Sequence, residues 1–449
     1  MSELKRTEMS VRQERAILVG VILPDSTADL RDPLGELASL AKTAGARVAG
    51  QIIQKRQRLD PATYIGSGKA IEIADLARKE RADVVLFDND LSPSQIGELE
   101  KIINEHLGSP RGEGVKILDR SELILDIFAT RARTHEARLQ VELAQMQYTS
   151  ARLVRMWGHL ERIASGSGGG MGIGTRGPGE TQLETDRRIV KKRISILKSE
   201  IEVVQGRKTR LVERRQLDHF TVCIVGYTNA GKSTLFNTLT SAGTYADDKL
   251  FATLDTKTRT WKLEKGTEVL LSDTVGFVRD LPHGLVASFK ATLEEAIHAD
   301  LLLHVLDVGH AHSEQQFKTV HDVLSEIGVK DKQEILLLNK IDTEEGEAAF
   351  PFWRTLHPDA IPISARHGTG MAELTEAVFK HVRGQQVDVT LAADDTNGKL
   401  LAFIESHARV HDRQFSDGRV TVKAVMGKRT LAELARNGQV EVVKVEAVN

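Results

Sequence analysis

The chain has 449 residues, a length that predicts about three domains. Hydrophobic residues make up 41% and charged residues 28%, which excludes a disordered chain and predicts a soluble globular one. Formal net charge is −2, yet residues 131–215 carry 18 Lys/Arg against nine Asp/Glu, so one basic stretch sits in an otherwise acidic protein. One cysteine, Cys223, excludes an intramolecular disulfide and a cysteine-built metal site. No apolar run approaches the roughly 18–20 residues of a transmembrane helix, and Met1 to Arg15 has no apolar core of a secretory signal, so a cytoplasmic protein is expected. The 15 histidines are scattered; His310 and His312 lie two apart in what reads as a solvated loop.

Residues 1–15 are charged and expected to be disordered. Over residues 16–130, strands at Ala16–Leu23, Arg47–Ile53, Asp83–Phe87 and Val115–Leu118 alternate with helices at Pro33–Ala44, Gly68–Lys79 and Pro93–Leu107. Such alternation predicts an α/β domain with a parallel-leaning sheet. Within it, Tyr64-Ile65-Gly66-Ser67-Gly68-Lys69 is a Gly-rich turn at a helix start. It could take a phosphate, but it lacks Walker spacing and reads more simply as a turn.

Residues 120–163 contain no proline and one glycine, and predict one long helix or two nearly collinear ones. Eight glycines follow between Gly166 and Gly179. From Glu180 to Arg215, Leu183, Val190, Ile194, Leu197, Ile201, Val204 and Leu211 fall on a near-heptad seam, with Lys208 in one core slot. Residues 131–215 are therefore expected to form a basic helical hairpin tipped by a Gly-rich loop. Its candidate RNA-binding residues are Arg176, Arg187, Arg188, Lys191, Lys192 and Arg193, with a solvated helix face as the alternative.

Residues 216–385 carry the densest chemistry. The apolar run Thr221–Val225 leads into Gly226-Tyr227-Thr228-Asn229-Ala230-Gly231-Lys232-Ser233-Thr234 and then a helix-like stretch. Strand, G-x-x-x-x-G-K-S and helix make the P-loop pattern. Its backbone N–H groups and helix N-terminus cradle phosphate, Lys232 reaches the β- and γ-phosphates, and the Ser233 hydroxyl ligates Mg²⁺. Phe251-Ala252-Thr253-Leu254-Asp255 offers the Thr253 hydroxyl to the same ion. Asp273-Thr274-Val275-Gly276 follows an apolar run; its Asp can hold Mg²⁺ through water, and the Gly276 N–H can sense the γ-phosphate. Asn339-Lys340-Ile341-Asp342 follows another; the Asp342 carboxylate accepts from two guanine donors that adenine lacks. Ser364-Ala365-Arg366 completes the set with backbone N–H groups for guanine O6. Lys232, Thr253 and Gly276 are the expected catalytic positions, with segments 240–258 and 276–290 as switches. Enzymes of the Ras type orient the attacking water with a Gln just after D-x-x-G. This chain has Phe277 there, so a low intrinsic rate is expected. Asn229 is read either as a K⁺ ligand beside the phosphates or as a brace for the loop.

Residues 386–449 show strand, helix, two strands across Ser416-Asp417-Gly418, helix and strand. That βαββαβ order predicts a small α+β unit of the ferredoxin-like kind, an interaction module.

The five nucleotide motifs resemble translation-factor-like GTPases. The run from Gly172 to Arg188, with Tyr64–Lys69 and the Asp-Thr-Val-Gly-Phe form of residues 273–277, resembles the HflX family of ribosome-associated GTPases over most of the chain. That resemblance implies binding to the large ribosomal subunit and its rRNA, splitting of stalled or idle ribosomes under heat stress, and secondary ATP hydrolysis in the N-terminal part. It also implies a monomer that takes GTP and GDP. The alternatives are an ATP-driven RNA remodeller, for which no helicase motif set is present, and a tRNA-modifying GTPase. The latter needs a catalytic cysteine near the C-terminus, where this chain has none. A pure nucleotide sensor is the mildest reading.

Overall fold

The computed structural model describes residues 14–24, 32–108, 114–165, 188–207, 219–240, 250–251, 256–263, 267–279, 293–329, 332–416, 418–436 and 440–447, with backbone alone for 151–165. The chain forms two compact units. The first comprises Met1–Gln205, Asp247–Asp255 and Val278–Thr292; the second comprises Gly206–Ala246, Thr256–Phe277 and Leu293–Asn449. The stretch expected as a single domain, 216–385, thus gives two of its segments to the first unit. The C-terminal module belongs to the second. Among the described residues no helix is long and apolar enough to cross a membrane.

In the first unit, β1 (Arg15–Ile22), β2 (Arg47–Lys55), β3 (Val84–Phe87) and β4 (Lys116–Asp119) form a sheet ordered β2-β1-β3-β4. Every pairing is parallel. Strands β1 and β3 are buried almost end to end, which is why they read as unbroken apolar runs and not as alternating ones. Helices α1 (Gly35–Ala44), α2 (Ser67–Glu80) and α3 (Pro93–Leu107) connect them. Helix α3 starts on a capping box between Ser92 and Gln95 with proline in its first turn, a start written in the sequence.

Of the two expectations for residues 120–163, one helix or two, the structure has two. Helix α4 (Arg120–Arg131) buries Leu123, Ile124, Ile127 and Phe128, and so belongs to the core of this unit. Ala132 leaves the helical region at ψ 110°. Thr134 Oγ1 then accepts from Ala137 N–H at 3.2 Å and starts α5 (His135–Ser165). Residues 188–207 form a further helix, α6. Its Leu197 and Ile201 are buried against Leu139 of α5, with Val204 beside Leu143 and Met146. The seam expected at Val190, Ile194, Leu197, Ile201 and Val204 is the less exposed side of α6. Leu183, Lys208, Leu211 and the Gly166–Gly179 loop lie outside the described residues.

In the second unit, β5 (Phe220–Gly226), β6 (Lys257–Lys262), β7 (Glu268–Asp273), β8 (Leu301–Asp307), β9 (Glu334–Asn339) and β10 (Ile361–Pro362) form one sheet, ordered β10-β9-β8-β5-β7-β6. Pairing is parallel except β6 with β7. The helices of this part are α7 (Lys232–Thr240), α8 (Glu294–His298), α9 (Ser313–Glu326), α10 (Glu344–Leu356) and α11 (Met371–Gly384). A second sheet holds β11 (Gln386–Asp394), β12 (Ala408–Ser416), β13 (Arg419–Gly427) and β14 (Glu441–Ala447), ordered β12-β13-β11-β14 and wholly antiparallel. With α12 (Gly398–His407) and α13 (Lys428–Arg436) it has the expected βαββαβ order.

Candidate nucleotide-binding site

The carboxyl ends of β5, β7, β8 and β9 deliver the motif residues to one edge of the six-stranded sheet. That edge is where parallel sheets with flanking helices bind ligands. After β5 the chain turns through Asn229 at φ 61° and Gly231 at φ 99°, the left-handed conformations that a tight phosphate-sized loop needs. A side chain at Gly231 would run into the Asn339 amide. Helix α7 starts at Lys232 directly beyond the loop.

Lys232 lies almost wholly buried, with Nζ donating to Tyr227 O at 2.6 Å. Burial lowers its pKa to about 8, although Asp273 pulls it upward. Ser233 Oγ donates to Asp273 Oδ2 at 2.7 Å, so a hydroxyl and a carboxylate expected to share one ion already sit side by side. Thr274 donates its hydroxyl to Ile224 O at 2.7 Å, and Val275 is core; both fix the backbone and present no side chain. A Cβ on Gly276 would lie 2.7 Å from Thr228 Cα and 2.8 Å from Lys232 Nζ. Only glycine therefore lets this backbone approach the lysine.

Phe277 is fully buried. Its N–H donates to Gly226 O at 3.2 Å and its carbonyl accepts from Thr228 N–H at 2.7 Å, so the residue anchors the P-loop through its main chain.

Asn339 joins three motifs. Its Nδ2 donates to Ala230 O at 2.7 Å, and its Oδ1 accepts from Ala365 N–H at 3.0 Å. Thr238 of α7 donates to Ala365 O at 2.7 Å. Lys340, at φ 65°, places Nζ 2.6 Å from Asp307 Oδ2. The Asp342 carboxyl is held below its ordinary value, first by a hydrogen bond from Ser364. His367 Nε2 stands 3.5 Å from its Oδ2. Ile341 packs on a small core with Trp353.

Asp307, Thr238 and the joining role of Asn339 were not found from sequence. Asp307 pairs in register with Asn339, which fixes its lysine contact, and register is not readable from a single strand.

Phe251, at φ 54°, belongs to the first unit, where its ring meets Phe128 edge-on at 4.7 Å; its side chain is committed to that core. Ala252, Thr253, Leu254 and Asp255 lie outside the described residues, as do Arg176 and Arg187. Arg188, Lys191 and Lys192 are exposed on α6. Arg193 donates to Glu142 Oε1 across the helix pair, at 2.8 and 2.6 Å. Cys223 is buried inside β5, and burial, then the charges of Glu295 and Asp273, pushes its thiol far up.

Three family descriptions match successive parts of the chain: "GTP-binding GTPase N-terminal" over residues 31–129, "GTP-binding GTPase Middle Region" over 131–215 and "50S ribosome-binding GTPase" over 221–340. The chain is 42% identical over 420 residues to the GTPase HflX of Escherichia coli, covering 92% of this chain and 93% of that one. It is 40% identical over 438 residues to the GTPase HflX of Lacrimispora saccharolytica, covering 97% and 99%. Among solved structures, the GDP complex of SsGBP is 25% identical with a TM-score of 0.47, covering 82% of this chain and 98% of that one. With identity of about two-fifths across nearly the whole length, and the residues of the G-x-x-x-x-G-K-S, D-x-x-G and N-K-x-D motifs gathered at one edge of a sheet, the chain belongs to the HflX family of GTPases.

Proposed function

We propose that this GTPase is a cytoplasmic, monomeric, ribosome-associated factor that binds the large ribosomal subunit and splits stalled or idle ribosomes under stress. The carrying observation is the joined edge of the six-stranded sheet: Lys232, Ser233, Asp273 and Gly276 stand beside Asn339, Asp342 and Ser364. In this reading residues 226–234 hold the phosphates, Lys232 meets the β- and γ-oxygens, and Asp342 accepts from the guanine edge. Arg366 lends a backbone donor to the base, while Ala365 N–H holds Asn339. Ser233 and Asp273, paired hard oxygen donors, fit Mg²⁺, with Thr253 as a further ligand. When bound, the ion neutralises charge on the phosphates.

Phe277 offers no group to orient water, and its backbone is engaged on the P-loop. Intrinsic hydrolysis is therefore slow, and we infer that the large subunit accelerates it at least tenfold, about 1.4 kcal/mol of barrier. Arg188, Lys191 and Lys192, with Arg176 and Arg187, are the cations assigned to rRNA phosphates. Asn229 is assigned to K⁺; hydrolysis in K⁺ should exceed that in Na⁺, and equal rates in the two salts would return Asn229 to a bracing role.

The tRNA-modifying reading loses its last candidate, because the thiol of Cys223 is buried within a strand. Sedimentation of ribosomes with this protein plus GTP, a non-hydrolysable analogue or ATP tests the rest. Free subunits with GTP or its analogue support splitting. Intact ribosomes under every nucleotide would overturn it, and dissociation by ATP alone would favour the remodeller.

A further inference from the structure

We propose that His304, His321 and Glu334 form a binding site for a divalent transition metal of the Zn²⁺ class, on the face of the six-stranded sheet covered by α9. The three residues come from three elements, β8, α9 and β9. His304 pairs in register with Leu336, so Glu334, two residues away on β9, projects from the same face as His304. Helix α9 crosses that face with Phe317 and His321 one turn apart. The Phe317 ring stacks on His304 at 5.2 Å with planes 2° apart, which brings His321 to within 5.2 Å of the same imidazole.

The donor atoms converge on one carboxylate oxygen. His304 Nδ1 lies 2.8 Å and His321 Nε2 3.5 Å from Glu334 Oε1. The three ligand atoms lie within 4.8 Å of one another. Ligands around tetrahedral Zn²⁺ at 2.0–2.2 Å stand about 3.3 Å apart, so the two distances straddle the spacing that such an ion imposes.

A plain buried histidine–glutamate pair is the simpler description, and it leaves something over. The Nε2 of His321, the atom it turns toward Glu334, is a buried atom with no hydrogen-bond partner. An ion between the rings would take the His321 lone pair and leave one coordination position toward solvent, since the His321 side chain is 41% exposed.

Two imidazoles and one carboxylate suit Zn²⁺, Ni²⁺ or Cu²⁺ and not Mg²⁺, which prefers oxygen ligands. Phe317, Trp353 and His357 wall the site with rings, and a dry wall of this kind strengthens coordination.

The test is calorimetric titration of Zn²⁺ into the chelator-treated, tag-free full-length protein, with Mg²⁺ present in excess. One equivalent should bind, and His321→Ala and Glu334→Gln should each weaken that binding at least a hundredfold. Lys318→Ala, on the same helix, should leave it unchanged. Retained GDP binding establishes that each variant is folded. Co²⁺ in place of Zn²⁺ should give the strong visible bands of a tetrahedral site, lost in His321→Ala. Absence of Zn²⁺ binding, or the same affinity in His321→Ala as in the unaltered chain, would overturn the proposal.

Discussion

Burial leaves the Lys232 ammonium with a pKa of about 8, against an ordinary 10.5. Between those values the unfolded chain binds the proton that the native one has released, so this lysine makes the nucleotide-free protein more stable as pH rises from 8 to 10.5. Phosphate reverses the preference, because the charged form then has an anion beside it. At about pH 8.5, nucleotide binding should take up a fraction of a proton. Titrations in buffers of different ionisation enthalpy should then give different apparent heats, and at pH 6.5 they should agree. Asp342 carries a second consequence. Asp342→Asn removes the acceptor for two guanine donors, at about 1.5–3 kcal/mol each, so GTP affinity should fall roughly a hundredfold or more. Xanthosine triphosphate, whose C2 carbonyl matches the new amide, should bind better than GTP; competition with a fluorescent nucleotide reads both. At this scale the sequence was legible wherever a motif names a residue by spacing, as with Lys232 and Asp342. Asp307 and the histidine site were not, because their partners come from other strands and helices.

Strand and helix positions were legible where burial writes a continuous apolar run, as in β1 and β8, or where a cap is spelled out, as at Ser92-Pro93. Residues 120–163 read as one helix or two, and nothing in Ala132-Arg133-Thr134 chooses between them; the break comes where α4 is buried in the first unit and Thr134 caps the next helix. The α5–α6 pairing was visible as a seam, whereas the ion pair of Arg193 with Glu142 across it was not, because charge alone names no partner. Leu197 is the fully buried centre of that pairing. Leu197→Ala should cost about 2–5 kcal/mol locally. Amide exchange over residues 188–207 should rise accordingly, while β5 and β8 keep their protection.

The first compact unit includes two segments distant in sequence, Asp247–Asp255 and Val278–Thr292. Arg279, three residues beyond Gly276, belongs to the first unit. An open parallel sheet ordinarily takes its ligand in the crevice at the carboxyl ends of its strands, and Arg279 meets Asp88 directly beyond β3 and Glu36 in the first turn of α1. Arg120, 1% exposed, donates to Asp88 Oδ1 at 2.7 Å and lies 3.0 Å from Glu36 Oε2. Arg279 donates to Asp88 Oδ2 at 2.7 Å, and its carbonyl accepts from Arg120 at 3.1 Å. Burial still holds the Asp88 carboxyl above its ordinary value, against both arginines. Asp88→Ala would take from the buried Arg120 guanidinium its 2.7 Å carboxylate partner and should destabilise the first unit by about 3–5 kcal/mol. A lowered thermal transition that leaves GDP affinity unchanged would show it.

The same crevice acquires its members in an order set by protein synthesis. Glu36, Asp88 and Arg120 are made early, whereas Arg279 follows Arg120 by 159 residues. At ~5–20 residues per second the nascent first unit waits roughly 8–30 s with two carboxylates facing one guanidinium. A chain halted in that interval displays an N-terminal unit whose buried charge is unbalanced, so its stability during translation depends on how soon the rest of the message is read.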